Sequence, residues 1–133
     1  MPSPTRKFGD IGEGIACEYL EKKGFEIIER NYWQKWGEID ILALQKGILH
    51  FVEVKTLNWD STRPVSRESK EGIRPEDNVH PKKLERLYRT IETYLLDKQK
   101  GSKTQDWQID VVAIRLDVER KKAKVKLIDN VVM

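Results

Sequence analysis

Residues 37–55 constrain the fold more than any other stretch: Gly-Glu-Ile-Asp-Ile-Leu-Ala-Leu-Gln-Lys-Gly-Ile-Leu-His-Phe-Val-Glu-Val-Lys. Two apolar, β-branched-rich runs flank Lys46-Gly47, the pattern of a β-hairpin. Side chains alternate faces along a strand. Glu38, Asp40, Leu42 and Leu44 are therefore expected on one face of the first strand. Leu49, Phe51, Glu53 and Lys55 share a face of the second. A two-residue turn at Lys46-Gly47 pairs Gln45 with Ile48, and by extension Asp40 with Glu53 and Glu38 with Lys55. Directly paired side chains lie about 5 Å apart at Cβ. A three-residue turn, with Gly47 left-handed, would shift the pairing by one.

Paired carboxylates repel each other. Three arrangements relieve this: Lys55 pairs with an acid, a cation sits between the acids, or the strand ends splay into water. Oxygen ligands on a rigid sheet suit a hard ion such as Mg²⁺ or Mn²⁺. The plainer alternative is ordinary surface charge pairs, Glu38 to Lys55 and Glu53 to Lys55.

Gly37-Glu38-Ile39-Asp40-Ile41-Leu42-Ala43, a short hairpin, and Phe51-Val52-Glu53-Val54-Lys55 resemble the core of the PD-(D/E)XK nucleases. The closer resemblance is to the YraN-like family of predicted endonucleases, distantly similar to archaeal Holliday junction resolvases. Gly12 to Ala16 with Tyr19-Leu20, Gly24-Phe25, Arg30-Asn31 and Asp110 to Val112 extend it over most of the chain. It implies a restriction-endonuclease-like α/β fold, a mixed central sheet flanked by helices, and a single nuclease-like domain. It also implies hydrolysis of DNA phosphodiesters with Mg²⁺ or Mn²⁺. Asp40, Glu53 and a first-helix acid, Glu13, would be the metal ligands, Lys55 the fourth catalytic residue, and Glu38 a supporting acid beside them. This chain has Ile39 at the proline of the motif, Leu57 where relatives often carry arginine, and Gln108-Ile109-Asp110 where they often read Arg-Phe-Asp.

The remaining residues place these groups in the order α-β-β-β-α-β-β. Residues 1–8 read as a loose arm, followed by a helix from Asp10 to Lys23 that Gly24 ends. Its apolar positions are Ile11, Ile15, Ala16, Tyr19 and Leu20. Glu13 lies at the edge of that stripe, though an acid in a first helical turn is favourable by itself. Phe25 to Tyr32 reads as a strand. Trp33 and Trp36 follow in a connection, where rim packing is the expected role and base stacking the alternative. Residues 57–80 read as a long polar loop, either a segment that closes over nucleic acid with Arg63, Arg67 and Trp59 or a floppy insertion. Pro81 opens a helix to about Leu96. Lys82 and Lys83 stand at its N-terminus and Arg86 on its polar face, which would suit a phosphate. Strands at 108–116 and 123–128 complete the chain, with Lys124 and Lys126 alternating with Val125 and Leu127.

Of the 133 residues 38% are hydrophobic and 35% charged, with a formal net charge of +3. This balance is compatible with nucleic acid without requiring it. One cysteine, Cys17, excludes an intrachain disulfide and is expected to be buried. No apolar run spans a membrane and no signal peptide is read, so a cytoplasmic location is expected. A homodimer is left open by the resolvase resemblance and the apolar end Val131-Val132-Met133. The rival reading is a nucleic-acid-binding or scaffold domain that keeps the fold without cutting.

Overall fold

The computed structural model describes residues 4–63, 81–98 and 105–131. Among these residues two helices and five strands follow the expected order: α1 (Pro4–Lys22), β1 (Glu26–Gln34), β2 (Gly37–Gln45), β3 (Ile48–Asn58), α2 (Pro81–Lys98), β4 (Trp107–Asp117) and β5 (Lys122–Ile128). The strands form one mixed sheet in sequence order. All neighbours are antiparallel except β3 and β4, which run parallel and are joined through α2.

Helix α1 begins six residues earlier than expected, at Pro4 rather than Asp10. Proline suits a first helical turn because its missing N–H would have no partner there. Asp10 and Glu13 therefore both stand in the helix interior, outside the favourable first turn. The buried stripe also differs. Ala16, Cys17 and Leu20 are buried, whereas Ile11 is exposed. Small residues explain the rotation: a Cβ on Gly12 would collide with the Thr56 side chain. The helix backbone lies directly on β3 there. Gly24, at φ +93°, ends the helix as expected.

The sheet has an apolar core on each side. Ala16, Leu20, Phe25, Ile41, Ala43, Val52, Val112 and Ile114 pack beneath α1. Tyr32, Ile39, Leu42, Phe51, Ile109, Leu87, Ile91 and Tyr94 pack beneath α2. The hairpin turn is the two-residue one, since Gln45 pairs with Ile48. Lys46 and Gly47 both take positive φ, 52° and 77°, as such a turn demands.

Other boundaries moved outward. β1 runs on to Gln34, so Trp33 is a strand residue and only Lys35-Trp36 turns. Trp36 packs at the rim as expected, with the Arg89 guanidinium 4.3 Å from its ring centroid. Trp33 does not; it is 67% exposed. β3 runs on to Asn58, so the loop begins later than residue 57. The Trp59 N–H donates to the Leu116 carbonyl and Lys124 lies over its ring, so Trp59 is held against the sheet. Asp117 fastens the next residues, accepting from the Ser61 amide and hydroxyl and from Arg120. Arg67 lies outside the described residues, as do the side chains of Lys82, Lys83 and Leu84. At the chain end Val131 N–H donates to the Ile109 carbonyl at 2.7 Å, while residues 132–133 lie outside the described set. Among the described residues no helix is long and apolar enough to cross a membrane.

Candidate active site

The β2–β3 ladder pairs residues from Gln45↔Ile48 to Ile41↔Val52 and ends there. Each strand continues with its other neighbour: Glu38 pairs with Trp33 on β1, and Glu53 and Lys55 with Val111 and Ala113 on β4. The expected pairs Asp40–Glu53 and Glu38–Lys55 are therefore not formed. Instead the sheet forks. The Asp40 carboxylate occupies the gap and accepts the Val54 N–H at 2.8 Å. It takes the place a strand carbonyl would fill.

Strict alternation also fails at this level. Ile39 belongs to the α2 core and Ile41 to the α1 core, although they are two residues apart. On β1 Arg30 pairs with Ile41 and Tyr32 with Ile39, so the same change of face falls between residues 30 and 32. Asn31, opposite Asp40 between Arg30↔Ile41 and Tyr32↔Ile39, has φ +54°. That left-handed residue explains the change of face on β1, because an extended strand cannot contain it without a local twist. Nothing in its neighbours' hydrophobic pattern announces it.

Asn31 also bridges two acids. With the amide oriented to satisfy both contacts, Nδ2 donates to Glu38 Oε1 at 2.8 Å and to Glu13 Oε1 at 2.9 Å. The Arg30 guanidinium lies 3.9 Å from the same Glu13 oxygen. Both residues entered the sequence reading only through the Arg30-Asn31 resemblance, with no role assigned. Their spacing from the acids gives no signal, because the contacts cross from strand to helix.

The site is therefore built inside a gap in the sheet, rather than on one face. Glu13 reaches it from α1. Glu53 projects away from the α1 core, because its neighbours Val52 and Val54 pack into that core. It lines a cavity of about 160 Å³ with Gly37, Glu38, Arg86 and Leu87. Burial, and then the charge of Glu53, push the Asp40 carboxyl up to about 7; the Val54 N–H opposes this, and Glu13 and Glu38 add to it. Burial likewise raises Glu13, against the Arg30 charge and the Asn31 bond, with Glu38 and Asp10 acting in the same direction as burial. Lys55 is half-buried one alternation beyond Glu53, on the same side of β3. Arg86, read on the polar face of α2, is exposed and borders the acids. Arg63 does not join them; it is exposed and paired with Asp60 at 3.3 Å.

The donor set is all oxygen, which fits a hard divalent ion. The donors are not assembled around one, however: among the described residues no three acids converge at ligand spacing. Asn31 holds Glu13 to Glu38, and Val54 holds one oxygen of Asp40.

A second polar cluster was not read from sequence. Asp110 is fully buried and accepts from Gln108 and from the Asn130 amide, with His50 Nδ1 2.6 Å from its other oxygen. Gln108, one of the departures from the resembling motif, thus serves Asp110.

The model of the family described as "Uncharacterised protein family UPF0102" matches residues 12–114, a span containing every acid of the gap, Asn31 and Lys55. The chain belongs to the UPF0102 family. A UPF0102 protein of Campylobacter jejuni is 41% identical over 110 residues, covering 83% of this chain and 85% of the relative. One from Helicobacter pylori is 39% identical over 126 residues, covering 95% and 91%. The YraN-like family resemblance seen in the hairpin residues holds at this level.

Proposed function

We propose that the chain is a metal-dependent endonuclease that hydrolyses DNA phosphodiesters, on a restriction-endonuclease-like core. The observation that carries this reading is the Asp40 carboxylate in the sheet gap, with Glu53, Glu13 and Glu38 close enough to act on its charge. Bringing several acids together at half-buried positions is costly by itself. It becomes favourable around a cation, and the oxygen donors fit Mg²⁺ or Mn²⁺.

Asp40 and Glu53 would hold the ion, with Glu13 completing the set after leaving Asn31. The ion supplies charge neutralisation at the scissile phosphate and activation of water. Lys55, beyond Glu53 on the same strand face, orients the attacking water and offsets negative charge developing on the phosphoryl oxygens. Asn31 and Arg30 position Glu13 and Glu38. Arg86 stands beside the acids, where a phosphate would need a counter-charge.

One observation favours a second reading, a binding or scaffold domain that does not cut. The Asn31 bridge satisfies Glu13 and Glu38 without any ion. The two readings separate in a cleavage assay on labelled single-stranded, duplex, flap and four-way-junction DNA with Mg²⁺ or Mn²⁺. The nuclease reading expects metal-dependent cutting that Lys55→Ala and Asp40→Asn abolish. Salt-sensitive binding without cutting, equal in wild type and Lys55→Ala, would replace it with the binding domain.

A further inference from the structure

The side of the sheet that carries Lys55 also carries basic residues on β4 and β5, grouped around the buried Ala113. On β3, Val54 packs in the α1 core and Thr56 meets Gly12, so Lys55 points the other way. On β4, Ile114 and Leu116 lie in the α1 core, so Arg115 points with Lys55. On β5, Val125 and Leu127 pack against that core, which turns Lys124 and Lys126 to the same side. The register aligns them in rows. Lys55 pairs with Ala113, which pairs with Lys126. Leu57 pairs with Arg115, which pairs with Lys124.

Lys124 and Lys126 are exposed. The Lys124 ammonium is held 5.3 Å from the Trp59 ring centroid, which limits its freedom at the far end of the surface. Two strand spacings separate Lys55 from Lys126, roughly 10 Å. The first row ends at Lys55, beside Glu53. On the next row down β3 and β4, Glu53 pairs with Val111 and Ile128 follows, so basic residues give way to the acidic gap.

We propose that this β3–β4–β5 face is a track for a DNA phosphate backbone, with Lys124 and Lys126 gripping the strand that enters the gap. The proposal rests on the nuclease reading for its direction, and the grouping of four cations on one side of three strands fits a polyanion. It moves the main contact away from the α2 N-terminus. The chemistry is phosphate contact rather than base reading, so the surface carries affinity without sequence preference.

The test measures binding, with no cutting involved. Anisotropy of a labelled 20-base-pair DNA is followed in EDTA over a salt series, for wild type, Lys124→Glu/Lys126→Glu and Lys46→Glu. Lys46 is an exposed cation at the opposite end of the hairpin. The double variant is expected to lose at least about tenfold in affinity, and its slope of log K against log salt to shrink by about 2. Lys46→Glu is expected to match wild type. If charge reversal impairs folding, Lys124→Gln/Lys126→Gln gives the same readout with a smaller loss. Equal binding by the double variant and Lys46→Glu would overturn the proposal, as would tighter binding of an RNA duplex of the same sequence. Loss of binding in a protein that never cuts would support this surface while the nuclease reading fails. Normal binding in a variant whose wild type cuts would do the reverse.

Discussion

Asp40 accepts the backbone N–H of Val54 at 2.8 Å, just past the last β2–β3 ladder pair. A side-chain carboxylate thus replaces a main-chain acceptor at the point where two strands part. The substitution solves a local problem, because a buried N–H without a partner is costly. It also fixes an acid in the sheet plane, where Glu53 on β3 and Glu13 on α1 can act on it. The fork and the acid cluster are one feature.

The first consequence concerns pH. Asp40 is raised from 3.8 to about 7 in the folded protein, chiefly by burial and by Glu53. A folded pKa above the unfolded one means that the native state holds the extra proton between those values. Stability from this group is full below 3.8 and is lost as pH rises toward 7. Glu13 is raised as well and acts in the same sense. Asp117 is held low by Ser61, but its window lies below 3.8. Metal-free protein should therefore show a thermal midpoint that falls from pH 4.5 to 7.5. Asp40→Asn should flatten that fall, since its Oδ1 can still accept the Val54 N–H. Parallel curves for the two proteins would contradict the assignment.

Gly12 and Gly14 make a paired test of how α1 sits. A Cβ at position 12 meets Thr56, whereas one at position 14 meets nothing within 4 Å. Gly12→Ala should cost about 1–3 kcal/mol through overpacking. Gly14→Ala should gain about 0.5–1 kcal/mol, because alanine is the better helix residue. Denaturant midpoints measure both. Equal effects would mean that α1 does not lie on Thr56.

Asn31 has two separable duties, its φ of +54° and its bridge between Glu13 and Glu38. Asn31→Gly keeps the first and loses the second. Asn31→Ala loses both and should be less stable than Asn31→Gly by about 1 kcal/mol. Both variants should alter divalent-ion affinity by a similar factor, because that depends on the bridge alone. If glycine and alanine are equally stable, the backbone at this position is not left-handed.

Much of this was legible in the sequence for local reasons. The Lys46-Gly47 turn and the flanking apolar runs set the Gln45↔Ile48 register, and Pro81 and Gly24 marked a helix start and a helix end. What failed was extrapolation. Alternation carried from Leu42 back to Glu38 assumes an unbroken ladder, and the fork breaks it at Ile41↔Val52. The left-handed Asn31 and its bonds to Glu13 and Glu38 join residues from three elements, which no single-strand pattern encodes. Likewise Lys124 and Lys126 read only as the polar side of a strand. Their alignment with Lys55 depends on strand order, and so became visible only with the sheet assembled.

The most direct test of the account is calorimetric titration of Mn²⁺ into wild type, Asp40→Asn and Glu53→Gln at pH 8, without nucleic acid. The account predicts binding to wild type that either variant weakens at least about tenfold, equivalent to roughly 1.4 kcal/mol. Identical affinity in all three proteins, or no binding to wild type, would contradict the claim that the acids of the sheet gap hold a cation.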